Sequence, residues 1–272
     1  MSVPENSILE TTPGLLNASL GEMTPKFLAT RNAAGVPNVV PCISLLPASD
    51  RPNLVFFGNF LLRKTIRNLE EDPRLAIMIV TPQLEGWILK GQFLEFQNDG
   101  PYYETQMNSR LLRYNAYTGV RNAGLVRVIS LENVFHISRL QVALDYFLAW
   151  ASTSGRENGM DAHAIRVPGP VRKEFARMVA IKVLAWTGQD GYPRLTPALS
   201  LQPAGSSQFI ARLQVPQLPQ PENQERVAAN VLTFEAISYQ VKGRWQSSHS
   251  IGALFPQEIY AGGPPIPGGR IA

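Results

Sequence analysis

Cysteine is nearly absent from this 272-residue chain: the single thiol, Cys42, excludes an intrachain disulfide and any site built on several thiolates. Histidine is almost as scarce. His136, His163 and His249 stand apart, with no paired or HExxH spacing, so no metal is expected. No apolar run approaches the roughly 20 residues that span a bilayer, and the opening MSVPENSILE lacks a basic start followed by an apolar stretch. No membrane partner and no secretory leader are therefore expected, and the cytoplasm is the expected compartment. Lysine and arginine form no dense run, and a formal charge of +4 is modest for this length, so nucleic acid is not an expected partner. A Gly-rich phosphate loop, a nucleophile elbow and a dinucleotide fingerprint are all missing.

What remains is a composition of the globular kind, 44% hydrophobic and 17% charged, with β patterning over most of its length. From Lys26 the segments KFLATR, VPNVVPCISLL and LVFF read as a meander, followed after Asp72-Pro73 by buried strands over Arg74–Val80 and Gly86–Phe96. Asp99-Gly100-Pro101 opens a helix carrying Tyr103, Met107 and Leu111, and Leu125–Ile137 returns to strand. Ser138 then caps a helix whose Leu140, Leu144, Phe147, Leu148 and Ala151 make an apolar stripe, and residues 152–170 read as an exposed connector.

Beyond the connector the pattern repeats. Lys26–Ala48 aligned without gaps on Lys182–Ala204 gives ten identities in 23 positions, among them Gly35 with Gly191, Pro41 with Pro197 and Ser44 with Ser200. Further on, Lys90-Gly91 falls on Lys242-Gly243 and Thr81 on Thr233. Two units are too few for a solenoid, and each is long enough to close on itself. The expected architecture is mainly β: two tandem six-stranded antiparallel barrels forming a pseudo-dimer. Residues 1–137 make the first barrel, 138–170 a linker, 171–255 a second and degenerate barrel, and 256–272 a flexible tail. Whether the two copies pair within one chain or across a homodimer stays open.

The copies differ most in one stretch. In the first, a strand runs into Gly58 and Asn59, a plausible cap, and then into RKTIRNLEE, a helix with Arg63, Lys64 and Arg67 at its N-terminal end. Cations there oppose the helix dipole and call for an anion, most simply a phosphate. The same residues also suit a solvated helix whose cations pair with Glu70 and Glu71. The second copy has instead RLQVPQLPQPENQER, where prolines forbid a regular helix.

These segments resemble the flavin-binding split barrels related to pyridoxamine 5′-phosphate oxidase. KFLATRNAAGVPNVVP is similar to the family's opening hairpin, FGN with RKTIRNLEEDPRLAI to its phosphate-binding turn and helix, and GWILKGQFLEF with DGPYYE to its next strand and helix. The resemblance implies an FMN whose phosphate is held by Arg63, Lys64 and Thr65, with Asn68 bracing the turn. It also implies that Val40, Pro41, Cys42 and Ile43 lie along the isoalloxazine ring, and that one flavin sits between the two copies. Trp87, Trp186 and Trp245 are large enough to stack on such a ring, although aromatics on strands more often belong to the core; Cys42 suits a small buried hydrophobe better than a nucleophile. The implied activity is that of an FMN-dependent oxidoreductase. A non-catalytic flavin or haem carrier, or use of the deazaflavin F420, is the alternative. GGPPIPGGRIA does not match the arginine-containing C-terminal motif of the true oxidases, so their reaction is not expected.

Overall fold

The structure, a computed structural model, describes residues 7–60, 62–109, 119–152, 164–213, 215, 217–248, 251–262 and 268–272. Two short helices, α1 (Ile8–Thr11) and α2 (Leu15–Leu20), precede the first sheet. That sheet is built from β1 (Lys26–Arg31), β2 (Pro37–Pro41), β3 (Leu46–Pro47), β4 (Leu54–Gly58), β5 (Arg74–Val80), β6 (Glu85–Gln97) and β7 (Ala123–His136), with α3 (Arg63–Glu71) and α4 (Pro101–Met107) inserted. A linking helix, α5 (Arg139–Ala151), and a short α6 (Gly169–Phe175) lead to the second sheet. Its strands are β8 (Ile181–Thr187), β9 (Pro193–Pro197), β10 (Gln202–Pro203), β11 (Phe209–Arg212), β12 (Arg226–Leu232), β13 (Ser238–Ser248) and β14 (Ile251–Ala261).

The strand orders are β2-β1-β5-β6-β7-β4-β3 and, read the same way, β9-β8-β12-β13-β14-β11-β10. They are one topology twice. Each unit has seven strands rather than six, because a two-residue strand, β3 or β10, follows a four-residue corner and brings the two edges of its sheet together. The repeated identities cluster at that corner. Cys42 N–H donates to the Lys26 carbonyl at 2.7 Å, and Ala198 N–H to that of Lys182 at 2.8 Å. Gly58 N–H donates to Ser44 Oγ, and Arg212 N–H to Ser200 Oγ. The buried Lys26 ammonium donates to the carbonyls of Gly21 and Ile43, and that of Lys182 to Leu199. A bent strand exposes carbonyls that its neighbours cannot reach, and the lysine supplies the missing donor.

Each barrel has its own interior. Leu28, Cys42, Phe57, Leu75, Ile77 and Trp87 fill the first; Leu184, Trp186, Phe209, Val231, Trp245 and Leu254 fill the second. A further core lies between the barrels, where Phe27, Ala29, Val39, Ala76 and Met78 on the outer faces of β1, β2 and β5 meet Val183, Ala185, Leu195 and Ala228 on those of β8, β9 and β12. The copies thus pair within one chain. Polar contacts register the pairing: Thr187 Oγ1 donates to the Gly35 carbonyl at 2.8 Å, and Asn230 and Gln240 amides donate to that of Val39.

Several expectations shift. The second sheet continues to Ala261, past residue 255, and residues 268–272 fold back on it, with Ile271 N–H donating to the Ile259 carbonyl at 2.8 Å. The connector is not exposed throughout, since Val167 is buried and Ile165 N–H donates to Pro256; residues 153–163 lie outside the described residues. Ser138 does cap α5, its Oγ accepting from Gln141 N–H. The helix, however, buries Val142, Asp145 and Ala149, and leaves Leu140, Leu144 and Phe147 exposed. The packing explains it: Ala149 sits against Ile210, Ala253 and Phe255, Val142 joins the core between the barrels, and Asp145 on the same side lies 3.5 Å from Arg212 of β11. The helix α4 ends at Met107, and Leu111 lies outside the described residues.

Gly91 and Gly243 occupy equivalent bulges, where the β6–β7 and β13–β14 registers slip. A Cβ on Gly243 would fall on the backbone carbonyl of Phe255, whereas one on Gly91 would first meet the side-chain ends of Leu75 and Val126 at 2.8 and 2.9 Å. Gly243→Ala should therefore cost about 3 kcal/mol and Gly91→Ala about 1 kcal/mol in urea unfolding. Equal losses would show that the two bulges are not distinguished by backbone approach.

Candidate functional site

The helix α3 is seated by Leu69, buried in the first barrel's core with Leu62 packed against it, and by polar pairs. Thr65 Oγ1 accepts from the Asn38 amide at 3.2 Å, and the Asn68 amide donates to Thr30 Oγ1 at 3.0 Å, all four residues being buried. Asp72, just beyond the helix, accepts from Arg31 at 2.6 Å and from Arg74 at 2.8 and 2.9 Å. Burial opposes its ionisation, but the hydrogen bonds from Arg74 and Arg31 prevail and hold the carboxyl down at about 2. The helix is thereby fixed to β1 and β2 at both ends.

Its N-terminus is open. Leu62 occupies the cap position without any side-chain hydrogen bond, and Asn59, the expected cap, instead donates to Asn122 Oδ1 at 3.1 Å. A short loop between Asn59 and the helix carries that amide away from the first turn. Among the described residues, Arg63, Lys64 and Arg67 form no ion pair with Glu70 or Glu71; the Glu71 carboxylate accepts instead from Ala33 N–H at 3.0 Å.

The second copy meets this end of α3 with charge. The Lys64 ammonium lies 3.1 Å from the centroid of the Tyr260 ring, and that of Lys242 lies 5.9 Å from the same ring. Tyr260 donates to Glu258 at 2.6 Å and pairs through its backbone with Arg270 on the returning tail, whose guanidinium donates to the carbonyls of Ala272 at 3.0 Å and Gln257 at 3.2 Å. Burial lowers the pKa of Lys64, with Glu258 opposing and Arg270 and Arg67 adding to the effect. Burial and then Lys64 push Lys242 down to about 8. Glu258 is held below its ordinary value: burial opposes this, but the Tyr260 hydroxyl, Lys242, Lys64 and Arg270 prevail. Burial and the bond to Glu258 raise the Tyr260 phenol. Three cations around one carboxylate, beside an uncapped helix end, form a corner with surplus positive charge. The buried Asn38 adds a carbonyl oxygen, Oδ1, with no hydrogen-bond partner.

The equivalent corner on the other side is neutralised. There Lys90, the counterpart of Lys242, pairs with Asp190 at 2.7 Å and Glu132 at 3.3 Å, and Arg194, the counterpart of Asn38, pairs with Glu132 and Asp190, each at 2.9 Å.

The structure divides the expected site residues. Lys64 faces the cationic corner, while Arg63 is exposed beside it. Thr65 and Asn68 are buried under the helix, their side chains engaged by Asn38 and Thr30. In β2, Val40 packs toward the first barrel's interior and Pro41 pairs with Phe27 of β1. Cys42 and Trp87 lie inside that barrel, and burial pushes the Cys42 thiol up to about 12. Ile43 lines a separate cavity. Trp186 and Trp245 fill the second barrel instead of covering the inter-barrel corner; Tyr260 is the aromatic residue found there. Tyr260, Glu258 and Arg270 escaped sequence reading because a strand end and a Gly/Pro-rich tail carry no periodic signal. Lys242 had one, its alignment with Lys90 ahead of a repeated glycine. His136 is exposed, and His163 and His249 lie outside the described residues.

No family model and no curated protein matches the chain. Solved structures do. The chain is similar to an FMN-binding protein from Syntrophomonas wolfei subsp. wolfei (16% identity, 47% of this chain and 86% of that one, TM-score 0.39). It is also similar to HupZ of Group A Streptococcus (23%, 47% and 94%, 0.36) and to a putative pyridoxamine 5′-phosphate oxidase from Lactobacillus delbrueckii (21%, 46% and 92%, 0.33). Each match covers about half of this chain. No helix among the described residues is long and apolar enough to cross a membrane.

Because Lys242 must be charged to attract an anion, sulfate is the simplest probe, having no titration of its own near neutrality. Lys242 is protonated below about 8, so affinity should be full at pH 7 and fall about tenfold by pH 9. Calorimetric titration checks this, and Lys242→Met should bind more weakly with a flatter pH profile. A pH-independent wild-type affinity would remove Lys242 from the site.

Proposed function

We propose that the chain binds one FMN between its two barrels, with the phosphate at the corner formed by Lys64, Lys242 and Arg270, and that it serves as an FMN-dependent oxidoreductase. The observation that carries this reading is the charge surplus at that corner, assembled from both copies and left without α3's own glutamates. The donor set fits a phosphate monoester: ammonium and guanidinium groups, backbone N–H groups at an uncapped helix end, and an aromatic face on Tyr260. Thr65 and Asn68 act here as braces, holding the helix on β1 and β2. The bound flavin would supply hydride or one-electron chemistry, and the protein its binding and orientation.

The neutralised corner beside Lys90 and Arg194 supports one flavin per chain rather than two. A charge-assisted hydrogen bond contributes about 1.5–3 kcal/mol, so Lys64→Ala should weaken FMN roughly ten- to a hundredfold. Riboflavin, which lacks the phosphate, should bind the wild type and the variant alike. Fluorescence titration with both ligands makes the test; equal losses for the two, or two FMN bound per chain, would sink the proposal. Anaerobic reduction of the FMN-loaded protein by NADH or NADPH, followed by reoxidation, separates turnover from carriage.

A further inference from the structure

A cavity of about 400 Å³ opens between the barrels, away from the cationic corner, and its walls repeat across the pseudo-twofold relation. Ile43 faces its equivalent Leu199, and Thr81 its equivalent Thr233. The volume falls within the range of small-molecule sites, about 300–1,000 Å³. The walls are largely apolar, and the two threonine hydroxyls each accept a backbone hydrogen bond. Thr81 Oγ1 accepts from Glu85 N–H and Thr233 Oγ1 from Ile237 N–H, each closing its own turn. Such a space holds water poorly and favours an apolar occupant.

The linking helix breaks the symmetry. Arg139, at the start of α5, lines the cavity from a helix that the second copy lacks, and its guanidinium donates to the Pro82 carbonyl on the rim at 3.3 Å. Among the described residues it has no carboxylate partner. Among the described residues no other charged one lines the cavity. We infer that this cavity is a binding site for a carboxylate with an extended apolar body, its chain between the Ile43 and Leu199 walls and its anionic end at Arg139. An apolar chain matches the walls, and a single anion matches the one unpaired cation at the rim.

Dodecanoate is the probe, titrated calorimetrically into the full chain. Saturable binding of one dodecanoate per chain is expected. Val179→Trp, at an exposed position on the rim, should block entry and lower affinity at least tenfold, while circular dichroism reports an unchanged fold. Arg139→Gln should weaken dodecanoate about tenfold and leave dodecanol unaffected. No saturable binding, or binding unchanged in Val179→Trp, would overturn the site; equal losses of acid and alcohol in Arg139→Gln would overturn the carboxylate assignment. The FMN affinity of both variants should match the wild type. The cavity site and the FMN reading therefore stand or fall on separate titrations.

Discussion

Strands that are apolar on both faces must be covered on both, and this constraint organises the whole molecule. In β1, Leu28 points into the first barrel while Phe27 and Ala29 point out of it, and all three are fully buried. The equivalent strand β8 does the same with Leu184 on one side and Val183 and Ala185 on the other. Neither barrel could leave its outer face in water without exposing a continuous apolar patch. Pairing of the copies is thus a requirement of folding, and it creates every inter-barrel feature: the shared core, the axial cavity and the two charged corners.

The corners begin as equivalents and diverge through the loss of one helix and through the residues that face the lysine. In the first copy α3 follows the fourth strand and brings Lys64 to the Tyr260 ring that Lys242 of the second copy also approaches. In the second a proline-rich loop occupies that place, and Asp190, Glu132 and Arg194 close around Lys90. A lysine ahead of a bulge glycine is common to both, so the lysine alone does not make an anion site. What matters is whether carboxylates are near enough to neutralise it, because a buried or half-buried cation left in surplus lowers the cost of bringing an anion out of water.

Much of the fold was legible in the sequence because it rests on period and repetition. The β pattern of KFLATR, the continuous apolar run of Arg74–Val80, the stop at Asp72-Pro73 and the ten matches in 23 positions all translate directly into strands and a second copy. The site was half legible. Lys64 stood out because cations at a helix N-terminus are unfavourable without an anion. Its partners did not, since Tyr260 and Arg270 meet it only through the packing of one barrel on the other, and no local pattern encodes that contact. The tryptophans could not be placed for the same reason: from sequence a strand aromatic cannot be assigned to the inner or the outer face until register is known, and Trp87, Trp186 and Trp245 all turn inward, the core role that strand aromatics usually take.

The duplication itself then has a physical consequence that a symmetric dimer of single barrels would lack. Two identical chains must build two identical corners, so any change that neutralises one neutralises the other. In a fused pair each corner draws one half from each copy, and the halves vary independently. Arg194 could replace the counterpart of Asn38 and pair with Glu132 while Asn38 itself kept its amide on Thr65. The same freedom lets a linker residue, Arg139, enter the axial cavity from one side only, giving an otherwise two-fold space a distinct polar end. Asymmetry at the corners and in the cavity is therefore one property of the fused chain, expressed at two places along the interface that both barrels need in order to fold.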